Sequence, residues 1–313
     1  MQVDLAQAIT LLKRGEVVAI PTETVYGLAA DASNDAALRQ IYAIKQRPAD
    51  NPLIVHIADV SQVLDFAKEF PPLAQKLANA FWPGPFTLVL PAKESVSKIV
   101  RGGQPTVALR VPSHPLTLQL LKESGLALAA PSANKFTQLS PTTAAHVSAG
   151  LGDSVPVLDG GACKVGIEST IVSVQGENWQ LLRLGMVPEA NIHGLAGVPA
   201  LKSEKALPKA PGQHLLHYSP RTPIRLFASR VELINYAENN QEKCAALLIG
   251  AGEAPDCPHF DLQNRPDAAA ERLYDMLHQM DALQVDVLLV QAPSSAPEWL
   301  AVLDRLSRAA HAN

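Results

Sequence analysis

"LRQIYAIKQRPADNPLIVHI", residues 38–57, decides how the chain is read. Its first eight residues have the apolar spacing of a helix, and "PLIVHI" is a short apolar run of strand length. A helix followed by a strand, joined by a polar turn, is the unit of an α/β sheet. The join itself is unusual. Lys45 and Arg47 close the helix, where two cations can simply offset the helix dipole. Pro48 and Pro52, however, fix the backbone around Asp50 and Asn51. Rigidly presented cations also suit an anion with several oxygens, such as a polyphosphate. His56 ends the strand and either serves the structure or faces the same space.

The same alternation extends outward in both directions. Upstream, residues 4–14 read as a helix stopped by Gly15, followed by the strand "VVAI". Downstream, "VLDFAKEF" and "LAQKLANAF" read as helices, and "FTLVLP" and "TVALRVP" as strands. "PLTLQLLKES" is a helix before the strand "LALAA". Then "VPVLDG", "STIVSV" and "WQLLRLG" follow one another with turns but no helix between them, which predicts a mixed sheet. Residues 194–222 break the rhythm with Pro, Gly, Lys and Ser and read as a linker. Beyond it, "PIRLF", "CAALLIG", "HFDL" and "VDVLLV" alternate with helical segments and predict a second, smaller α/β unit.

Composition bounds the function. The 313 residues are 47% hydrophobic and 18% charged with a net charge of -4, a globular composition that disfavours a protein built to grip a nucleic-acid backbone. No run of about 18 apolar residues predicts a membrane span. Three widely spaced cysteines, Cys163, Cys244 and Cys257, fit reduced thiols in a cytoplasm. His214 and His217 lack the companions of a metal site. There is no P-loop and no G-x-S-x-G elbow, and "IGAGEAP" has Pro255 where a dinucleotide fingerprint needs its third glycine.

The polar residues gather near strand boundaries. "PTETVYGLAADA" places hydroxyls, including that of Thr24, one carboxylate and a tyrosine after the first strand, in a capped turn or a ligand loop. Arg110 lies inside the apolar "TVALRVP"; a charge there either meets a core carboxylate or faces a carboxylate ligand. "APSANKFTQLSPTTAAHV" sets Ser132, Asn134 and Ser140 before a helix expected to begin near Ser140 and Pro141, whose free N–H groups would favour an anion. Ser169 in "GIESTIVSV" and Arg183 in "LLRLG" complete the set. Lys45, Arg47, Arg110 and Arg183 would converge at strand ends on one cleft. Without a Ser–His or Cys–His signature, catalysis there would proceed by positioning and charge stabilisation, as in nucleotidyl or phosphoryl transfer.

These blocks resemble the YrdC-type domain family. "PTETVYGL", "KQRPADNPLIVHI", "WPGPFTLVL", "LRVP", "APSAN" and "GIESTIV" match it in order and approximate spacing, and "APGQHLLHYSP" with the unit after it resembles the two-domain form. The resemblance implies a YrdC-like domain over 1–200 with a twisted mixed sheet flanked by helices. A linker or lid over 201–222 and a Rossmann-like α/β domain over 223–313 would follow. It implies L-threonylcarbamoyladenylate synthesis from L-threonine, bicarbonate or CO2, and ATP with Mg2+, releasing pyrophosphate. The product would pass to tRNA threonylcarbamoyl-transfer proteins, with no direct tRNA binding required.

Lys45 and Arg47 would be catalytic. Arg47, Asn51, Thr106, Ser132, Asn134, Ser140, Arg183 and Tyr218 would hold ATP. Thr24, His56, Arg110, Ala130 and Ser169 would hold threonine, with Arg110 on its carboxylate. Two other readings remain: the carbamoyl-transfer domain of hydrogenase maturation, whose acylphosphatase and zinc-finger segments are missing here, and a double-stranded-RNA-binding module.

Overall fold

The computed structural model describes residues 1–201, 210–211 and 218–310, and within it the chain divides into two units. The first comprises Met1–Phe136, Pro141–Lys164 and Glu168–Gln213; the second comprises Thr137–Ser140, Val165–Ile167 and His214–Asn313. His214, His217 and most of the expected linker lie outside the described residues.

Ten strands build the sheet of the first unit: β1 (Gln2–Val3), β2 (Val18–Ile20), β3 (Gly27–Asp31), β4 (Ile54–His56), β5 (Phe86–Pro91), β6 (Thr106–Arg110), β7 (Leu128–Ala129), β8 (Val157–Leu158), β9 (Thr170–Gln175) and β10 (Asn178–Arg183). Their order is β1-β8-β2-β3-β7-β4-β6-β5-β9-β10. β4 runs parallel to β6, and β5 to β9, whereas β5 is antiparallel to β6 and β9 to β10, so the sheet is mixed as expected. One strand was hidden. β3 lies within "PTETVYGLAADA", read above as a loop, because its small residues lack the bulk of a typical strand. The helix expected near Ser140 and Pro141 instead spans Ala144–Leu151, capped by Thr143, whose Oγ1 accepts from His146 N. The free N–H groups of this helix therefore begin at Ala144, three to four residues beyond Ser140 and Pro141.

Alternation sorts the side chains onto two faces. One face carries Ala19, Leu28, Val55, Val107, Leu109, Leu88 and Val172, buried against Leu38 and Ile41 of the helix Asp35–Lys45 and Leu77 of the helix Pro72–Phe81. Each large side chain so buried contributes about 1.5–3 kcal/mol. The other face is divided. Over β2, β3 and β7 the residues Val18, Ile20, Ala29 and Leu128 meet Leu12 of the helix Leu5–Lys13 and Leu120 of the helix Pro115–Ser124. Over β4, β6, β5, β9 and β10 it holds only a small cluster, Ile54, Ala108, Val89, Ile171 and Leu182, joined by Ala210. No helical residue belongs to that cluster among the described residues. The site lies on this buried stretch without helical cover among the described residues.

The second unit has four parallel strands, β11 (Ile224–Phe227), β12 (Cys244–Ile249), β13 (His259–Leu262) and β14 (Val287–Gln291), in the order β11-β14-β12-β13. Parallel neighbours need crossovers, and the helices Arg230–Asn239 and Pro266–Asp281 lie between successive strands. Tyr218 is buried in this unit, its ring 5.9 Å from that of Tyr274 and 4.9 Å beneath the Arg305 guanidinium.

Two glycines test this packing in opposite directions. A β-carbon at Gly185 would stand 2.3 Å from Thr170 N and 2.7 Å from the Ser169 carbonyl carbon, backbone that cannot move away. Gly185→Ala should destabilise by about 1–3 kcal/mol or more. Gly150, inside the helix Ala144–Leu151, has open space around it. Gly150→Ala should stabilise by about 0.5–1 kcal/mol. Denaturant unfolding of both variants reads the two signs.

Candidate active site

Registers across the bare face place the polar residues in a row. His56 on β4 stands opposite Arg110 on β6. The Leu88–Leu109 pair sets Thr87 of β5 beside Arg110, and Thr87 in turn faces Ile171 of β9, which faces Arg183 of β10. At about 4.8 Å per strand the row spans roughly 19 Å, long enough for an extended ligand. The candidate site therefore lies at one end of the sheet, where His56, Arg110 and Arg183 each close their strand and Ser169 stands just before β9, and it occupies one face there.

Arg110 is the centre of the row. Its Nη2 donates to Glu23 Oε1 at 2.6 Å, its Nη1 to Thr24 Oγ1 at 3.0 Å and its Nε to the Gly84 carbonyl at 3.2 Å. The core-carboxylate reading of Arg110 is thus correct, and Glu23 is the partner that sequence reasoning did not single out. Glu23 Oε2 also accepts from Ser113 N at 3.1 Å. Burial pushes the Glu23 carboxyl up, but the charge and hydrogen bond of Arg110 outweigh it and hold it below its ordinary value. Three guanidinium hydrogens are used, so two of the five remain for a ligand. Thr24 Oγ1 in turn lies 2.8 Å from Thr22 Oγ1, which donates to the Val25 carbonyl at 2.6 Å.

His56 is almost fully buried, and its Nδ1 has no hydrogen-bond partner in the structure. Burial first and the neighbouring Arg110 second hold its imidazole down to about 3. It is a neutral ring at pH 7, and a buried orphan nitrogen calls for a partner from outside the protein. Asn51 Nδ2 is a second buried polar atom without a partner.

At the far end of the row, Ser169 Oγ lies 2.8 Å from Thr87 Oγ1 and accepts from Arg183 Nη2 at 3.0 Å; Arg183 Nε donates to the Ser169 carbonyl at 3.0 Å. A register shift between Leu181 and Arg183 brings Arg183 opposite Ile171, a bulge that re-aims the side chain. Arg183 Nη1 also donates to the Pro211 carbonyl at 3.2 Å, so the described piece of the linker, Ala210 and Pro211, rests on this face.

Lys45 and Arg47 each hold a loop. Lys45 Nζ donates to the carbonyls of Ser132 at 2.5 Å and Asn134 at 2.6 Å, holding the loop that carries both residues. Burial, then the charge of Arg47, drive the Lys45 amine well below its ordinary value, against the opposing pull of Glu168. Arg47 ends up beyond the helix, after Gln46 at φ 52°, and donates to the carbonyls of Asn51 at 3.3 Å and Pro52 at 3.0 Å. Both cations shape loops. Thr106 and Ala130 are buried, Thr106 on the same face of β6 as Ala108 and Arg110, and Ala130 N donates to the Ile54 carbonyl at 3.0 Å. Ser132 bridges Gly27. Ser140 and Tyr218 fall in the second unit, where the Ser140 carbonyl lies 3.2 Å from His278 Nε2.

No group of three His, Cys, Asp or Glu side chains suited to a metal ion exists among the described residues. The carboxylate in the row, Glu23, is committed to Arg110. These residues do not fit a protein-built Mg2+ cage, and Mg2+ would enter as part of MgATP.

Uncommitted donors on a sheet face, around an arginine already paired with a carboxylate, suit an α/β domain that binds a small polar reactant, here followed by a second α/β unit. A family model described as Telomere recombination, covering Sua5, YciO and YrdC, matches residues 10–185; another, described as Threonylcarbamoyl-AMP synthase, C-terminal domain, matches residues 181–311. The chain is 39% identical to the threonylcarbamoyl-AMP synthase of Bacillus subtilis over 98% of this chain and 92% of that protein. The crystal structure of Pyrococcus abyssi Sua5 complexed with L-threonine matches with a TM-score of 0.91 and 35% identity, covering 99% of this chain and 98% of that one. Full-length HypF, at 22% identity and a TM-score of 0.52 over 59% of this chain and 30% of that one, shares the fold alone. The chain belongs to the threonylcarbamoyl-AMP synthase family, in its two-domain Sua5 form.

His56 gives the site a pH signature. An unfolded histidine takes up its proton near 6.5, whereas folded His56 does so only near 3. Its contribution to stability is therefore whole above pH 6.5 and falls as pH drops towards 3, by up to about 1.4 kcal/mol per pH unit. Glu23, with an ordinary value of 4.5, begins to matter only below that window. Between pH 7 and 5.5 the protein should lose about 1 kcal/mol more than His56→Gln. Parallel losses in the two proteins would refute the buried neutral ring.

Proposed function

We propose that the chain joins L-threonine, bicarbonate or CO2, and MgATP into L-threonylcarbamoyl-AMP, releasing pyrophosphate, and that this product serves threonylcarbamoyl modification of tRNA adenosine. What carries the reading is a near-complete structural match to a protein solved with L-threonine, on a chain whose own site offers two unused Arg110 hydrogens and an orphan His56 nitrogen.

The chain's residues can meet the demands of this chemistry. The threonine carboxylate takes the two open Arg110 hydrogens, while Glu23 keeps the guanidinium oriented. Thr24, His56, Ala130 and Ser169 surround the amino acid. An uncharged His56 does not repel the substrate amine, which must lose its proton before it attacks carbon dioxide. The carbamate oxygen then attacks the α-phosphorus as pyrophosphate leaves. Arg183, Thr106, Ser132, Asn134 and the Asn51 amide are assigned to the nucleotide. Arg47 and Lys45 act by holding the 48–52 and 132–134 loops, which makes Lys45 a positioning residue. Ser140 and Tyr218 are assigned to ATP by the resemblance alone. Ala210 packs into the apolar cluster beside the row, and a covered site keeps water from a short-lived carbamate.

Mg2+ supplies charge neutralisation on the phosphates when MgATP is bound. The product goes to tRNA-modifying transferases, and no tRNA contact is needed for its synthesis. Free thiols at Cys163, Cys244 and Cys257 support a cytoplasmic setting, and no helix among the described residues is long and apolar enough to cross a membrane.

Pyrophosphate release from ATP should require both threonine and bicarbonate. Valine has nearly the shape of threonine without its hydroxyl. A site that hydrogen-bonds that hydroxyl should lower kcat/KM for valine by on the order of 10²–10⁴. Release that continues without bicarbonate, or valine used within about tenfold of threonine, would overturn the assignment.

A further inference from the structure

Two cysteines of the second unit stand together in a way that neither the fold nor the proposed reaction requires. Cys244 opens β12, and Cys257 lies two residues before β13. The register pairs Ala246 with His259, and Ala246 N donates to the Pro258 carbonyl at 2.8 Å. Carried back two residues, the same register sets Cys257 beside Cys244. Neighbouring strands run about 4.8 Å apart, inside the Cα separation of roughly 4.4–6.8 Å that a disulfide accepts. Both side chains pack against the same small apolar cluster, which includes Leu233, Leu248 and Leu289. Both are free and only partly buried, whereas Cys163 is buried in the core of the first unit. The pair lines an open hollow of about 640 Å³ whose rim includes Glu238, Glu242, Asp256 and Lys243.

We propose that Cys244 and Cys257 are a modification site, a reversible dithiol–disulfide pair oxidised by a small uncharged hydroperoxide. The rim argues for the oxidant's class: three carboxylates against one lysine disfavour an anionic disulfide and leave a neutral peroxide unhindered. Burial first, and then Cys244 beside it, push the Cys257 thiol up to about 12, which leaves Cys244 as the attacking thiol.

In the first step the Cys244 thiolate attacks one peroxide oxygen. An S–O bond forms, the O–O bond breaks, and hydroxide leaves and is protonated to water. In the second, Cys257 gives up its proton and attacks the sulfenic sulfur. The S–S bond forms, the S–O bond breaks, and a second water leaves. Two thiols have lost two protons and two electrons, and one peroxide has become two waters. A partly exposed disulfide that clamps two adjacent parallel strands is readily reduced again, as a reversible pair requires.

The test uses the full-length protein, reduced and then exposed to about one equivalent of hydrogen peroxide. Alkylation after unfolding counts the thiols. The reduced protein should show all three cysteines, and the oxidised protein should show Cys163 alone. Dithiothreitol should restore the other two, and peptide mapping should find residues 244 and 257 cross-linked with the loss of two hydrogens. Cys257→Ser should stop at a sulfenic acid on Cys244 that a dimedone probe captures. Cys244→Ser should consume peroxide at least about tenfold more slowly. Three thiols surviving oxidation, over-oxidation without the 244–257 link, or links formed only between molecules would each overturn the proposal.

Discussion

The buried pair of Arg110 and Glu23 fixes the site from the inside. A guanidinium in the middle of a sheet face is tolerable only with a partner, and removing one member of such a pair typically costs about 3–5 kcal/mol. Arg110 is held by the register of β6, so Glu23 must come to it. That requirement draws in the segment from Pro21 to Val25, where Thr22 ties the turn to Val25 and Thr24 reaches the same guanidinium. The chain can then enter β3, whose Leu28 N bonds the Pro131 carbonyl and whose Gly27 bridges Ser132. Lys45 grips the same loop from the other side. One ion pair thus sets two loops on which the uncommitted donors depend.

Charge explains why the site can be basic within a chain of net charge -4. Arg110 is neutralised by Glu23, His56 is uncharged, and burial and Arg47 press the Lys45 amine down. What the protein offers a reactant is a set of fixed dipoles and donors more than an open positive patch. Preorganised donors in a dry site act strongly without reorganising during reaction. This is a different strategy from gripping a phosphate backbone, where exposed cations release counterions.

Much of this was legible in the sequence. The helix–strand alternation around residues 38–57, the mixed sheet and the four strands of the second unit follow from period and length alone. The residues of the site were also visible, as polar types beside strands. Their place at strand ends was legible as well, and alternation held the further signal that they share one face. His56 is two residues from Ile54, Arg110 from Ala108, Thr87 from Val89 and Ser169 from Ile171, so each polar residue shares a face with a member of one small apolar cluster. Glu23 was hidden because its partner is 87 residues away and lies three strands beyond β3 in the sheet order β2-β3-β7-β4-β6. The carbonyls around the Lys45 amine were not legible, because a helix-ending lysine does not say which groups surround it.

The bare face also explains why the first unit leaves a site there at all. Helices cover the opposite face throughout and this face over β2, β3 and β7. A helix over β4, β6, β5, β9 and β10 would set the buried Arg110, His56 and Ser169 against apolar side chains. Their remaining hydrogen-bonding groups would then have no partner, at about 1–3 kcal/mol each. The polar row therefore acts as negative information for packing: it prevents a third helical layer and reserves the surface for something polar. Ala210 and Pro211 meet that condition, since a methyl group fills the apolar cluster while a backbone carbonyl answers Arg183. A linker can cover such a face where a helix cannot, because its backbone groups are not committed to one another and can turn outward to the row.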